Sequence, residues 1–243
     1  MIFAAGMANR LKPISLKTPK ALVRLGEKTM LEIVAAKLVR CGVKTLVVNI
    51  HHHHAQMEEF IKQLSLPNAE ILISDESDQL LDTGGGLKKA RNYLDGNEPI
   101  ILHNVDVLSD VNLTSMIALH KQKQALATLA VSQRKTSRYF KVSQNRLVGW
   151  ANISTGKEIN CIEVKKKRQL LVAFSGIQVI SPEFMSLITE EGSFSLTSVY
   201  LRLATANPIY CFEHEASNWI DVGTPEKLKN AREAFIKNPS SFE

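Results

Sequence analysis

Short apolar runs alternate with segments of helical periodicity through the first 132 residues of this chain. The runs at Met1–Ala5, Lys44–Ile50 and Ala125–Val131 are mostly apolar along their length and do not alternate with polar residues. Between the first two, Leu31–Cys41 repeats apolar positions at helical spacing, and the Gly that follows is a typical helix end. Strands without alternation are buried on both faces, as in a parallel sheet covered by helices. The sequence therefore predicts an α/β fold, a Rossmann-like three-layer sandwich with a mostly parallel, mixed sheet.

The pattern changes after about residue 132. Residues 137–150 predict short antiparallel strands joined by polar turns, and Leu170–Ile180 predicts another buried strand. No Gly-, Pro- or Ser-rich segment divides the sequence, and 243 residues suit one large domain or two tightly packed ones. We expect a single domain over 1–243, with halves at 1–110 and 111–243.

Positive charge is concentrated near the start of the sequence. The chain has 30 Lys and Arg against 24 Asp and Glu, and nine of these basic residues but only two of the acidic ones lie in residues 1–44. A nucleic-acid-binding protein more often spreads its basic residues with interleaved aromatics, and aromatics are only 6% of this chain. A local basic segment fits a compact phosphorylated ligand better, with a solvated basic face as the alternative. We therefore expect no nucleic-acid partner.

The cysteines and the apolar runs exclude several other classes. Cys41, Cys161 and Cys211 are far apart and odd in number, which indicates neither a disulfide framework nor a zinc site. No apolar run approaches the ~18 residues of a membrane span, and no secretory signal precedes the first strand. The expectation is a cytoplasmic monomer or small homo-oligomer without membrane contact. The internal run His51–His54 has poor geometry for one metal and predicts a strand-to-helix corner.

A loop of small and basic residues follows the first strand and extends to Lys20. Open parallel sheets bind ligands beyond the carboxyl ends of their strands, and the loop after the first strand is the usual phosphate site. Arg10 could bind phosphate oxygens with two hydrogen bonds, and Lys20 could act as a point charge. The chain lacks G-x-G-x-x-G after this strand and G-x-x-x-x-G-K-[ST] throughout, which argues against a dinucleotide-binding dehydrogenase and a P-loop NTPase.

The run from Ala4 to Lys20 resembles the signature of the sugar-1-phosphate nucleotidyltransferases, in which an apolar strand precedes A-A-G-x-G-x-R-x-x-P and then P-K. Four further segments occur in the order of that family. They are Leu81–Gly86, similar to its nucleotide-binding L-x-T-x-G; Asn104–Asp106, placed like its metal-binding aspartate; Phe174–Ile177, similar to its sugar-side T/S-G; and Trp219–Pro225, similar to its closing W-x-D-V-G-T-P. One such motif is weak, but five in order across nearly the whole chain are specific.

The resemblance implies a GT-A-like nucleotidyltransferase fold and the Mg²⁺-dependent transfer of a nucleoside monophosphate from an NTP to a sugar 1-phosphate. It implies catalytic roles for Arg10 and Lys20, and Mg²⁺ ligation by Asp106 and Asp221. Residues 1–110 would bind the nucleotide and 111–243 the sugar phosphate. The implied nucleotide contacts are Ala4, Ala5, Gly6, Met7, Ala8, Asn9, Thr83, Gly84 and Gly85, and the implied sugar contacts are Asn104, Ser175 and Gly176.

The reaction that the resemblance implies needs cations more than a base. The second pKa of a phosphate monoester is near ~6, so the attacking oxygen is already largely ionised at pH 7. A Ser–His or Cys–His pair is therefore not required. The main obstacle is the repulsion between a dianion and a triphosphate, which Mg²⁺ and basic side chains would reduce.

Three positions depart from the family pattern. Ala8 replaces the second glycine of G-x-G, and would strain or reshape the loop if that position needs a positive φ. Asn9 replaces a small hydroxylic or acidic residue, and the β-branched Val105 replaces a glycine beside the metal-binding aspartate. These departures leave open a second interpretation. The chain could be a degenerate regulatory module that binds a nucleotide sugar but does not catalyse the reaction.

Substrate identity also stays open at this point. The short chain, without a carboxyl-terminal β-helix, is most similar to the N-acetylmuramate 1-phosphate uridylyltransferases. Guanylyltransferases that act on mannose 1-phosphate or heptose 1-phosphate are the next alternative, and thymidylyl or cytidylyl transfer follows. The base depends on the backbone geometry of loops, which one sequence does not give.

Several of these residues also have purely structural interpretations. Asp106 could cap a helix or form a turn, and Gly84–Gly86 could be a turn that precedes a helix. Ser175 and Gly176 could form a β-bulge. The basic run Lys165–Arg168 is most simply an exposed loop.

Overall fold

The computed structural model describes residues 1–215 and 218–242 and divides them into two compact units. The first unit contains residues 1–95, 103–110 and 218–242, and the second contains 96–102 and 111–215. The carboxyl-terminal segment therefore packs with the amino-terminal residues, although the sequence suggested a boundary at residue 110.

The described residues form the α-helices α1 (Met30–Arg40), α2 (His54–Gln63), α3 (Asp82–Lys89), α4 (Leu113–Gln122), α5 (Leu196–Leu203) and α6 (Pro225–Lys237). The strands are β1 (Ile2–Phe3), β2 (Arg24–Leu25), β3 (Lys28–Thr29), β4 (Thr45–Ile50), β5 (Glu70–Asp75), β6 (Ile100–Asn104), β7 (Val107–Ser109), β8 (Ala127–Ser132), β9 (Arg138–Ser143), β10 (Arg146–Asn152), β11 (Lys157–Asn160), β12 (Leu170–Ile180), β13 (Ile209–Glu213) and β14 (Trp219–Asp221).

A parallel sheet organises the first unit. Strand β1 lies between β4 and the end of β6, with Ile2 opposite both Val48 and His103, and β5 pairs with the far side of β4. Apolar residues of β1 and β4 are buried along their length, as expected for strands covered on both faces. Because all four strands run in one direction, the loops that follow them emerge at one edge of the sheet.

Helix α1 shows how the local sequence fixes an element of this unit. Thr29 and Glu32 form a capping box, in which the Thr29 hydroxyl accepts from the Glu32 amide and the Glu32 carboxylate accepts from the Thr29 amide at 2.7 Å. The helix then buries an apolar face that includes Leu31, Val34 and Leu38. Capping at one end and burial along one face define the start and the orientation of the helix.

The second unit contains a mixed sheet in the order β11, β10, β13, β8 and β12, with β9 paired to both β10 and β12. Strand β13 runs parallel to β8, whereas β12 runs antiparallel to it. The α/β fold with a mixed sheet is confirmed. The single-domain assignment over 1–243 stays a prediction.

Some elements differ from the expectations. The first strand is shorter than the apolar run Met1–Ala5. The short strands β13 and β14 gave no clear periodic signal in the sequence. The histidine run does form a corner, because β4 ends at Ile50 and α2 begins at His54.

A buried histidine in the second unit makes stability depend on pH. His120 on α4 contacts Thr128 Oγ1 at 2.9 Å through Nδ1 and Ser181 Oγ at 3.1 Å through Nε2. The Ser181 hydroxyl donates to the Ala125 carbonyl at 2.7 Å, so Nε2 carries the proton and donates to Ser181. Burial lowers the pKa of His120 from 6.5 to about 4. The folded protein therefore keeps this imidazole neutral.

We expect His120→Gln to flatten the pH dependence of unfolding between about pH 6.5 and 4. In that window the unfolded chain binds a proton at His120 and the folded chain does not, so the free energy of unfolding falls as the pH falls, by up to ~1.4 kcal/mol per pH unit. Urea unfolding at several pH values measures this slope, with His54→Gln as the control for loss of an exposed imidazole. An unchanged slope in His120→Gln would show that His120 does not titrate differently in the two states.

Candidate active site

The loop after β1 is built from tight turns. It contains the 3-10 turns Asn9–Leu11, Ile14–Leu16 and Lys20–Leu22, and the buried Leu11 anchors its first part. Ala8 has φ +50°, the left-handed region that glycine adopts without cost. The alanine at this position therefore carries a strain of roughly 1–2 kcal/mol. The loop keeps its turn in spite of this substitution, since the Leu11 amide donates to the Ala8 carbonyl at 2.9 Å.

The start of this loop is held by a side chain from the neighbouring strand. Asn49, near the end of β4, is 2% exposed, and its Oδ1 accepts from the Ala4 amide at 2.7 Å. Its Nδ2 donates to Glu76 Oε1 at 2.7 Å. Because Ala4 is the first residue of the loop, Asn49 fixes the point where the chain leaves the sheet.

Glu76 connects the same network to the start of α3. Its side chain is fully buried, and its Oε2 accepts from the Leu81 amide at 3.2 Å. Burial raises the pKa of this carboxyl group, and its hydrogen bonds to Asn49 and Leu81 oppose that effect. His51 contacts the Glu76 carbonyl oxygen at 2.6 Å through Nδ1. The Asn49–Glu76 pair thus joins two of the predicted nucleotide-binding segments.

The three glycines after Thr83 lie inside α3, not in a turn before it. The helix begins at Asp82, whose φ is +57°, and Gly84, Gly85 and Gly86 are buried in its first two turns. A Cβ on Gly86 would lie 2.5 Å from Glu76 Oε1 and 2.9 Å from Asn49 Nδ2. The absence of a side chain at Gly86 is therefore required for the helix to pack on the Asn49–Glu76 pair.

The two predicted metal-binding aspartates lie side by side on a two-stranded ribbon. Strand β14 pairs antiparallel with β7, which places Asp221 opposite Val107. The Val222 amide donates to the Asp106 carbonyl at 2.9 Å and extends this pairing by one step. Both carboxylates are partly exposed, at 25% for Asp106 and 18% for Asp221. The structure therefore brings together two residues that are distant in sequence.

Each carboxylate has a lysine as its partner. Lys20 Nζ donates to Asp106 Oδ2, and Lys227 Nζ donates to Asp221 Oδ2. The Gly223 amide also donates to Asp221 Oδ1 at 3.1 Å. The sequence interpretation included Lys20 but missed Lys227. The signal for it was present, because a helix that starts at Pro225 places its first-turn side chains close to the residues just before it.

The Arg10 guanidinium group is the third cation of this cluster. A Cβ on Gly223 would lie 2.5 Å from Asp221 Oδ1 and 3.1 Å from Arg10 Nη2, so Arg10 and Asp221 are close neighbours across this glycine. We name the five side chains Arg10, Lys20, Asp106, Asp221 and Lys227 the charged cluster. It has three positive and two negative groups, and therefore an excess of positive charge suited to phosphate anions.

The charged cluster fits a magnesium ion. Mg²⁺ prefers oxygen ligands and typically uses one or two carboxylates together with water and substrate phosphates. Two partly exposed carboxylates on neighbouring chain segments match that donor set, and each already binds a lysine ammonium group. In the described residues, no group of three or more His, Cys, Asp and Glu side chains is placed so that it could hold a metal ion.

The remaining predicted residues differ in what they offer a ligand. Gly6, Met7 and Asn9 are exposed and Thr83 is half-buried, so a ligand can reach them. Ala4 and Ala5 are buried, which leaves their backbone as the part that can contact a nucleotide.

Near the charged cluster, Asn104 ends β6 and is half-buried. Val105 is only 3% exposed, and its amide donates to the Phe3 carbonyl at 3.0 Å. The side chain that replaces the family's glycine at this position is therefore buried.

The predicted sugar contacts in the second unit form a β-bulge. The pairing of β12 with β8 shifts between Phe174 and Gln178, and Gly176 has φ +75°. The Ser175 side chain is fully buried, and its Oγ lies 2.8 Å from His214 Nε2. The segment therefore forms the β-bulge that the sequence offered as its structural interpretation. A direct role of Ser175 and Gly176 in sugar binding stays a prediction.

Comparison with known proteins shows the family to which the chain belongs. The family model described as "Nucleotidyl transferase" matches residues 1–238. The N-acetylmuramate alpha-1-phosphate uridylyltransferase of Caulobacter vibrioides is 27% identical over 242 residues, which cover 97% of this chain and 96% of that protein. The mannose-1-phosphate guanylyltransferase catalytic subunit beta of Dictyostelium discoideum is 22% identical over 99% of this chain, which spans 65% of that protein.

A solved structure gives the same fold. A UDP-glucose pyrophosphorylase from Acinetobacter baumanii has a TM-score of 0.79 and 17% identity, and the match covers 98% of this chain and 93% of that one. Within the described residues, no helix is both long and apolar enough to cross a bilayer.

Proposed function

The chain belongs to the nucleotidyl transferase family, and from this premise we propose that it transfers uridine monophosphate from UTP to N-acetylmuramate 1-phosphate, with release of pyrophosphate. Its reaction class is the transfer of a nucleoside monophosphate from an NTP to a sugar 1-phosphate. The relative from Caulobacter supports the choice of uridylyl transfer, because the similarity extends over nearly the whole of both chains. The mannose-1-phosphate guanylyltransferase from Dictyostelium continues beyond the matched region.

The observation that carries the mechanism is the charged cluster itself. Asp106 and Asp221 would hold Mg²⁺, which when bound supplies positive charge to the polyphosphate of the NTP. Arg10, on the loop after β1, would bind phosphate oxygens with its planar guanidinium group. Lys20 would act as a point charge beside Asp106. Fixed cations that surround the reacting phosphates lower the barrier because charge develops there in the transition state.

The chain supplies no base to the attacking oxygen in this proposal. The sugar phosphate is already largely a dianion at pH 7, since its second pKa is near ~6. The protein's task is to overcome the repulsion between two anions and to align them for attack at the α-phosphorus. The loop after β1 and helix α3, joined by Asn49 and Glu76, would hold the nucleotide in that alignment.

For the nucleotide and sugar contacts we propose the residues that the sequence predicts. We assign the nucleotide to the predicted residues of the loop after β1 and of α3, and the sugar to Asn104, Ser175 and Gly176. For Ser175 the contact would run through the backbone, because its side chain is buried. We also place the enzyme in the cytoplasm, as a monomer or small homo-oligomer without nucleic-acid or membrane partners.

Guanylyl transfer to mannose 1-phosphate or heptose 1-phosphate is the second candidate. The similarity to a mannose-1-phosphate guanylyltransferase, which covers 99% of this chain, favours it. A non-catalytic regulatory module is less well supported. Val105 is buried, Ala8 keeps the turn of the loop, and all the cations and carboxylates of the charged cluster are in place.

A pyrophosphate-release assay tests the proposal directly. Purified protein with Mg²⁺ is combined with UTP, GTP, dTTP, CTP or ATP and with N-acetylmuramate, mannose, glucose or heptose 1-phosphate. We expect the highest kcat/KM with UTP and N-acetylmuramate 1-phosphate. A preference for GTP with mannose or heptose 1-phosphate would replace the proposal with the second candidate. Nucleotide binding without pyrophosphate release for any pair would favour the regulatory module.

A further inference from the structure

The two ion pairs of the charged cluster differ in how firmly they are held. The Lys20 side chain is 12% exposed, whereas the Lys227 side chain is 46% exposed. Lys20 lies in the 3-10 turn that ends the loop after β1, and Lys227 lies in the first turn of α6. Exposed ion pairs contribute little to stability because water competes for both partners. The bond between Lys227 and Asp221 is therefore the one that a competing cation breaks more easily.

The surroundings of Asp221 also favour an exchange of cations. Its Oδ1 accepts from the Gly223 amide and Arg10 lies beside it, so the carboxylate keeps its position when Lys227 leaves. Lys227 can leave without unfolding the start of α6, because that helix is capped by Thr224, whose Oγ1 accepts from the Lys227 amide at 3.3 Å. Only the side chain of Lys227 has to move.

We infer that the Lys227 ammonium group occupies the cation position of Asp221 before the metal binds and that a divalent metal ion must displace it. The inference rests on the proposed function, since it takes Asp106 and Asp221 as metal ligands. In the metal-free protein Lys227 neutralises Asp221, and it lowers the affinity for the metal by competition. After its displacement, the Lys227 ammonium group stays near the other members of the charged cluster. There it can form an ion pair with an anionic substrate.

Direct Mn²⁺ binding, without nucleotide or sugar, tests this inference. The loss of the free Mn²⁺ signal in electron paramagnetic resonance gives the dissociation constant. We expect Lys227→Met to bind Mn²⁺ about two- to fivefold more tightly than the natural protein, which corresponds to about 0.4–1 kcal/mol. The effect is modest because the ion pair that is lost is exposed.

Two further variants separate competition at Asp221 from a general change of charge. Lys227→Arg keeps a cation at this position and should bind Mn²⁺ as weakly as the natural protein. Lys229→Met removes the same charge from an exposed position on the same helix and should have the affinity of the natural protein. Equal tightening in Lys227→Met and Lys229→Met would overturn the inference, because it would show only a long-range electrostatic effect.

The result also distinguishes this inference from the proposed metal site. If Asp221→Asn leaves Mn²⁺ binding unchanged, the metal binds elsewhere, and both the site and the inference are wrong. If Asp221→Asn abolishes binding but Lys227→Met binds like the natural protein, the metal site stands and the competition by Lys227 is wrong.

Discussion

Asp106→Asn and Asp221→Asn should each lower kcat for pyrophosphate release by roughly a thousandfold or more, because each removes a charged group that we propose as a ligand of Mg²⁺. Asparagine keeps the shape of the side chain and an oxygen acceptor, but it loses the negative charge that attracts the metal. The β7–β14 pairing uses backbone groups, so it does not depend on these side chains. The free energy of unfolding should therefore change by about 1 kcal/mol or less.

Asp110→Asn is the matched control for these two variants. Asp110 follows β7, is exposed, and its Oδ2 accepts from Asn218 Nδ2 at 2.7 Å within the same unit. Asp110 lies outside the charged cluster. The kcat of the Asp110→Asn variant should therefore stay within about twofold of the kcat of the natural protein. Turnover at the natural rate in Asp106→Asn or Asp221→Asn would remove that residue from the proposed mechanism.

The sequence was sufficient to predict those parts of the fold that depend on local pattern. The run Leu170–Ile180 predicted strand β12, whose first two residues are exposed although the rest of it is largely buried, and helical periodicity at Leu31–Cys41 predicted α1. The left-handed backbone at Ala8 could also be anticipated, since a glycine pattern in a tight loop implies a positive φ. Short strands such as β14 escaped prediction because three residues carry too little periodicity, and their pairing depends on tertiary contacts.

The network that joins the loop after β1 to the start of α3 was largely invisible in the sequence. Glu76 lies in the polar run Ser74–Gln79, which is typical of a solvated loop, yet its side chain is fully buried. Its burial results from the packing of α3 against the ends of β4 and β5, and a single sequence does not encode that contact locally. Lys227 is a different case, because its position in the first turn of α6, just after Asp221, was a local signal that the sequence analysis did not use.

Gly86→Ala is expected to destabilise the protein by about 1–3 kcal/mol, although alanine is the better helix former. In an open helix this substitution gains roughly 1 kcal/mol. At Gly86 the new Cβ would lie 2.5 Å from Glu76 Oε1 and 2.9 Å from Asn49 Nδ2, both of which are buried and hydrogen-bonded. The clash outweighs the gain in helix propensity because neither partner can move without leaving a buried polar group unsatisfied.

The same substitution should also impair the reaction. Movement of Glu76 or Asn49 displaces the start of α3 through Leu81 and the start of the loop after β1 through Ala4. We propose that these two segments bind the nucleotide. Misplacement of a substrate by about 1 Å can cost a hundredfold in rate, so we expect kcat/KM for the NTP to fall at least about tenfold. Urea unfolding and steady-state kinetics measure the two effects separately.

A double variant tests whether the clash with Glu76 is the cause. Glu76→Ala alone should destabilise the protein, because the Leu81 amide and Asn49 Nδ2 both lose their hydrogen-bond acceptor. In the Gly86→Ala/Glu76→Ala variant the added methyl group no longer meets a carboxylate oxygen. The loss of stability should then be clearly smaller than the sum of the two single losses, as is expected for substitutions in direct contact. Strict additivity would mean that Gly86 is required for a reason other than its approach to Glu76, and the network would lose its role in setting the position of α3.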